Sequence, residues 1–237
     1  PYVILGLVII GVFILFVFSK MPDSNDKSSS KNIGVIFKKL VKNSRYSQGV
    51  IAQIFYVGAQ IMCWTYIYQY SEGIGIDNVT AGYYQMAAFI LFVVGRAVAT
   101  FLFRFFNPGK LLMIFALFAI VASLGVMLID NYMGLYCLVA VSLFMSLMFP
   151  TIYGIALGDL SEEESKIGSA GLVMAIVGGA LMPKFQGMII DIGGYNVDDV
   201  SILGMSEMNF SFILTLLCFI FIAFYGLKSN TIIKNSY

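Results

Sequence analysis

Seven apolar runs, each long enough to cross the roughly 30 Å hydrocarbon core of a bilayer, follow one another along the chain, at 2–18, 49–70, 81–103, 110–129, 134–158, 167–190 and 208–227. Their separators are short and polar, with one exception. The stretch 19–48, with MPDSNDKSSSKN followed by FKKLVKNSR, reads as a Ser/Lys-rich linker leading into a short, basic amphipathic segment. It parts one helix (1–18) from a block of six (49–230), and 231–237 is left as a tail.

The runs are not uniformly apolar. In 49–70, Gln53, Tyr56, Gln60 and Trp64 recur at steps of three and four, which places them along one face of a helix. A side-chain amide in hydrocarbon is costly unless something hydrogen-bonds it. The line therefore faces another helix, a water-filled cavity or a polar solute. Interhelical glue and cavity lining both remain open on the residues alone. A second line, Ser142, Ser146, Phe149 and Tyr153, runs along 134–158 beside Pro150, which removes a backbone donor and bends the span. Serine as a close-packing residue is an equally good reading there. Segment 81–103 carries Gln85 and Arg96 on roughly one face. Segment 167–190 is rich in small residues, and Gly178-Gly179 followed by Pro183 makes a flexible point. With no strand before these glycines, a phosphate loop is excluded.

Composition fixes the class. Of 237 residues, 59% are hydrophobic and 11% charged, against roughly 25% charged in a soluble domain, and the mean hydropathy is +0.89. The chain is an all-α membrane protein, with the lipid bilayer as its first partner. A net charge of +1 gives no reason to invoke nucleic acid. Cys63, Cys137 and Cys218 lie in apolar segments and fit neither a disulfide framework nor a metal site. There is no histidine, and no acid cluster lies within the spans. No catalytic residue, metal or cofactor is expected, and the competing class is a self-contained channel or scaffold.

The charges also orient the spans. If the ends alternate, the side holding 19–48 carries twelve of the fourteen basic residues, among them Lys38, Lys39, Lys42, Arg45, Arg104, Lys110, Lys166 and Lys228. The loops 71–80, 130–133 and 191–207 carry none, and Arg96 and Lys184 lie within spans. The bias puts the linker and C-terminus in the cytoplasm. All thirteen acids lie in loops or at helix ends, so no carboxylate at membrane depth is expected to carry a proton. The chain opens at Pro1 inside an apolar run that ends at Ser19-Lys20 without a small-residue cleavage site. The expectation is a piece of a longer protein with earlier helices missing.

Four segments narrow the reading. GVIAQIFYVGAQIMCWTYIYQY resembles the seventh helix of the L-fucose:proton symporter family, the fucose–galactose–glucose:proton symporters of the major facilitator superfamily. FMSLMFPTIYGIALGDL resembles its tenth helix, GSAGLVMAIVGGALMPKFQGMIID its eleventh, and GRAVATFLFRFFNPGKLL the turn between the eighth and ninth. The resemblance implies a major facilitator fold, here the C-terminal six-helix bundle plus one preceding helix, with a missing N-terminal six-helix half as partner. It implies import of a hexose, L-fucose foremost, with a co-transported proton across a bacterial cytoplasmic (inner) membrane, by rocking of two halves about a midplane site. Glucose, galactose or an N-acetylhexosamine is the alternative sugar. The proton-linked carboxylates, an Asp in the first helix and a Glu in the fourth, are implied for the missing half.

With the resemblance added, Gln53, Tyr56, Gln60 and Trp64 are expected to line the cavity with Gln85, Ser146, Phe149 and Tyr153, amides meeting hydroxyls and a ring packing on the sugar. Phe149 stands where the family pattern often has Tyr, which leaves the sugar open. Arg96 and Arg104, with Lys110, resemble the second-half counterpart of the superfamily's cytoplasmic loop motif. Arg96 is expected to pair with helix-end carbonyls or with acids such as Asp159, latching an outward-open state. Gly178, Gly179 and Pro183 are expected to serve the bending.

Overall fold

The computed structural model describes residues 2–19, 33–193 and 201–234. The linker residues 20–32, residues 194–200 of the loop before the last span and residues 235–237 of the tail lie outside the described residues. The chain divides into two compact units, Pro1–Ile33 and Gly34–Tyr237, taken here in turn. In the first, α1 (Tyr2–Phe18) rises about 26 Å at 1.5 Å per residue. Its apolar residues occupy every face, which suits lipid and gives it no polar side.

The second unit holds α2 (Ile33–Lys42), α3 (Ser44–Thr65), α4 (Ile67–Gly73), α5 (Asn78–Leu102), α6 (Pro108–Leu128), α7 (Tyr132–Met145), α8 (Met148–Leu157), α9 (Glu162–Met174), α10 (Gly178–Ile190), α11 (Glu207–Ser211) and α12 (Ile213–Lys234). The helices start where short polar side chains can hold the first N–H groups, which have no intrahelical partner. Asn43 accepts from Arg45 N at 3.0 Å, Asn107 from Gly109 N at 2.9 Å with Pro108 as first helical residue, and Asn131 from Met133 N at 2.8 Å. Ser161 and Glu164 form a reciprocal capping box. Asp77 accepts from the Thr80 hydroxyl at 2.7 Å and from Thr80 N and Val79 N, and the Thr80 bonds foremost hold its carboxyl below the usual value.

Among the described residues five helical stretches are long and apolar enough to cross a membrane, and α3 with α4, bent by 43°, makes a sixth if the pair is one span. That bend departs from the single run expected at 49–70. No Pro or Gly stands at Tyr66, and the turn is pinned from outside: Tyr66 Oη donates to Pro183 O at 2.8 Å and Tyr70 Oη to Ile129 O at 2.7 Å. The first span of the block begins at Ser44, so the last residues of the expected linker belong to α3. The described structure is otherwise all helical, apart from the hairpin Ser201–Ile202 with Met205–Ser206, where Gly204 takes φ 80° in the turn.

Small residues let the spans approach closely, as packing in lipid requires. Gly178 lies against the Ile54 backbone carbonyl of α3, where no side chain fits. A Cβ on Gly95 would lie 2.8 Å from Leu143 O, so α5 presses directly on α7. The ends assigned to the basic side meet in the structure. Leu40 of α2 is buried with Tyr46, Ala156 and Leu172. Lys39 pairs with Glu164, and Arg45 with Asp159. Tyr46 Oη donates to Gly168 O at 2.9 Å. Glu207 begins α11 as a helix-end acid should, yet it is fully enclosed and its carboxylate finds no hydrogen-bond partner among the described residues.

Candidate functional site

Pro150, exposed on this unit, sets the local geometry of the site. Lacking an N–H, it cannot serve the carbonyl four residues earlier, that of Ser146, and the span breaks there into α7 and α8. Ser146 is fully enclosed, so water cannot serve that oxygen either. The missing donor comes from α5: Arg96 Nε donates to Ser146 O at 3.3 Å. Gly95, beside it, is what allows α5 to come close enough. The guanidinium also lies over the Phe92 ring, 4.9 Å from its centroid. Arg96 is otherwise exposed on this unit.

From Phe92 the contacts continue to α3. Trp64 meets Phe92 and Phe89 edge-on at 5.2 and 4.9 Å between centroids. Its indole N–H donates to Ser142 Oγ at 3.2 Å. The N–H is therefore spent, and half-buried Trp64 offers ring surface and no hydrogen bond. Tyr56 meets Phe149 edge-on at 6.0 Å, and Phe149 stacks on Tyr153 at 6.4 Å. Trp64, Phe92, Arg96 and Ser146 thus form one set of contacts and Tyr56, Phe149 and Tyr153 a second, joined along the chain from Ser146 to Phe149 into a wall built from α3, α5, α7 and α8.

The line on α3 is not uniform along that wall. Gln53 and Tyr56 are wholly enclosed, and the Gln53 amide and the Tyr56 hydroxyl lack hydrogen-bond partners. Gln60 and Trp64 are only half-buried. Gln85 is half-buried on α5 with its amide oxygen enclosed and unpartnered. The rings of Phe89 and Phe92 escaped the sequence reading, although Gln85, Phe89, Phe92 and Arg96 recur at steps of four, three and four. The expected pairing of Arg96 with Asp159 is corrected: Asp159 pairs with Arg45, which stands on the first turn of α3. Of the two partners expected for Arg96, the helix-end carbonyl is the one found. Arg104 is exposed in the turn after α5.

In the glycine-rich span, helix geometry tightens to a 3-10 turn at Ala175–Val177 directly before Gly178 and Gly179, and Pro183 lies inside α10. The tightened turn falls beside the glycines that the sequence singled out, within a stretch, Glu162–Ile190, that counts as one apolar span. No group of three or more metal-ligating Cys, Asp or Glu side chains occurs among the described residues.

Broken apolar spans bundled around a polar and aromatic wall make this an integral, multi-pass membrane protein. The chain belongs to the Major Facilitator Superfamily, whose family model matches residues 1–183. It is 46% identical over 99% of its length to the L-fucose-proton symporter of Haemophilus influenzae, covering 53% of that protein. It is 30% identical to the Escherichia coli L-fucose-proton symporter, with 82% of this chain and 45% of that protein aligned. A Brucella abortus glucose/galactose transporter is 28% identical, with 96% of this chain and 52% of that protein aligned. The crystal structure of the E. coli fucose:proton symporter FucP matches with a TM-score of 0.81 at 28% identity, over 97% of this chain and 54% of that one. A second FucP structure, in the outward conformation, matches with a TM-score of 0.80, again at 28% identity over 97% of this chain and 54% of that one. The chain spans about half the length of the relatives it matches.

Proposed function

We propose that this chain is the C-terminal half of a proton-coupled hexose importer, with L-fucose as the sugar. The observation that carries the reading is the 46% identity along nearly the whole chain to a protein named for that sugar and for proton symport, against 28–29% to those named for glucose and galactose. In this reading residues 1–18 are the last helix of the N-terminal half, 19–48 the cytoplasmic linker, 49–230 the transport domain and 231–237 a cytoplasmic tail. The protein lies in a bacterial inner membrane, and the five missing helices of the N-terminal half supply the proton-carrying carboxylates.

The sugar lies against the wall described above. Trp64 offers its ring to the C–H face of the pyranose, Gln60 and Gln85 bond hydroxyls, and Tyr153 extends the aromatic surface. Gln53 and Tyr56 act from behind the Phe149 ring, which screens their unpartnered polar groups until the site closes. Arg96 ties α5 to the break in the tenth helix through Ser146, so the two move as one gate. Gly178, Gly179 and Pro183 let the eleventh helix bend as the halves rock, and Arg104 stays in the cytoplasmic turn.

The test is uptake of labelled L-fucose by the full-length protein in a strain lacking its own transporter, with glucose, galactose and N-acetylglucosamine as competitors. Trp64→Ala is expected to raise KM about tenfold, the loss of one stacking ring at roughly 1.5 kcal/mol. Gln60→Ala is expected to raise it less. Unchanged uptake in both at equal expression overturns the wall, and preferential inhibition by glucose or galactose reassigns the sugar.

A further inference from the structure

At the basic end of the bundle a cavity of about 300 Å³ opens between the first turn of α3 and the last turns of α12. Its lining includes Ser44, Arg45, Gln48, Asp159, Tyr225 and Lys228. Tyr225 is only 2% exposed, and its hydroxyl has no hydrogen-bond partner. Arg45 gives one terminal nitrogen to Asp159, while its Nε is enclosed and unpartnered. Lys228 is exposed at the rim. Leaving an enclosed donor unmade is costly, and here the two residues that carry such donors both line one cavity.

The character of these groups identifies what would fill it. An arginine N–H, a tyrosine O–H and a lysine ammonium are donors, and two are cationic against the single carboxylate of Asp159, which Arg45 already holds. The N-terminal turn of α3 adds the positive end of a helix dipole. An acceptor-rich anion satisfies all of them together, and a single water does not. The cavity also lies where α3 begins, at the level where spans meet the headgroup layer, and basic pockets at this level bind lipid phosphates. The geometry points to a phosphate-binding site, held by Arg45, Tyr225 and Lys228, that clamps α3 to α12 at this end of the bundle. The same chemistry is supplied by a phospholipid headgroup or by free phosphate.

Lys228→Gln and Tyr225→Phe test the site in the full-length protein, purified in neutral detergent. Lys228 is exposed and Tyr225→Phe removes one oxygen, so both variants keep the fold. Thermal unfolding is followed while titrating inorganic phosphate, phosphatidylglycerol and phosphatidylcholine at matched ionic strength. Saturable stabilisation is expected, with affinity falling about tenfold in Lys228→Gln, as for a lost charge-assisted bond, and a fewfold in Tyr225→Phe. A response to phosphatidylglycerol alone identifies the headgroup as the ligand, and a response to inorganic phosphate alone identifies the free anion. Stabilisation no greater than sodium chloride gives, equal response to phosphatidylcholine, or parental affinity in both variants overturns the site.

Discussion

The bond from Arg96 to the Ser146 carbonyl exists because Pro150 cannot donate to it, and that dependence is measurable. Arg96→Met keeps the length of the side chain and removes every donor. The lost bond from a charged donor is worth about 1.5–3 kcal/mol, and the contact with Phe92 about 0.5–1 kcal/mol at an exposed site. Arg96 is exposed and the bond, at 3.3 Å, is long, so the low end of each range applies and the expected loss is about 2 kcal/mol. Pro150→Ala returns an N–H one turn from the orphaned oxygen. In that background Arg96→Met should forfeit only the ring contact, about 0.5 kcal/mol. The coupling between the two positions is therefore about 1.5 kcal/mol, well inside what a double-mutant cycle resolves. The four proteins would be compared by equilibrium unfolding in mixed micelles. If Arg96→Met destabilises the Pro150→Ala protein as much as the parent, the carbonyl is not what the arginine serves, and the argument for a proline-made docking point fails.

Two further outcomes follow from neighbouring geometry. Gly178→Ala should destabilise by about 1–3 kcal/mol, because its Cβ would lie within 3.0 Å of three Ile54 backbone atoms, whereas the Cβ of Gly58→Ala meets chiefly the Met182 side chain, with the Gly178 carbonyl at 3.3 Å, and should cost less in the same unfolding assay; equal losses would refute the distinction. Asp77 titrates below its ordinary value because the Thr80 bonds favour its carboxylate, so the stability its cap contributes is complete above the unfolded value of about 3.9 and is lost as pH falls through the lower folded one. Melting temperatures of Asp77→Ala and parent should differ at pH 7 and converge at strongly acid pH; a constant gap would exclude the titration.

Much of this was legible before any coordinates, for physical reasons. Spans announce themselves by length, but their starts at 49, 81, 110, 134 and 167 were read three to six residues late: Asn43, Asp77, Asn107, Asn131 and Ser161 begin the helices, because a buried helix must satisfy its first N–H groups locally. The glycine-rich span was readable because close packing demands small side chains. Partnerships between helices were not. In the sequence Arg45 lies in the linker and Arg96 within a span, and nothing in their own segments says which reaches Asp159. That depends on how α3 and α5 lie relative to the end of α8, a long-range property that periodicity does not encode. The bend at Tyr66 was invisible for the same reason, since its causes, Pro183 and Ile129, lie more than fifty residues away.

The polar line of α3 shows why a face read from spacing divides in three dimensions. A helix at the edge of a bundle has one buried side and one lipid side, so residues sharing a face share a fate. α3 is not at an edge: α7, α8, α10 and α12 all pack against it. Position along its axis then matters as much as position around it. Near the basic end, where α8 closes over it through Phe149, Gln53 and Tyr56 are sealed without partners. Two turns further on, Gln60 and Trp64 are half open. An enclosed amide without a partner is an arrangement the fold tolerates at a loss of about 1–3 kcal/mol per group. A rearrangement of α8 at Pro150 that exposed Gln53 and Tyr56 would recover that loss, and the break in the tenth helix is the place where such a movement is easiest. The proline thus stands at the junction between the sealed and the open halves of the same polar line.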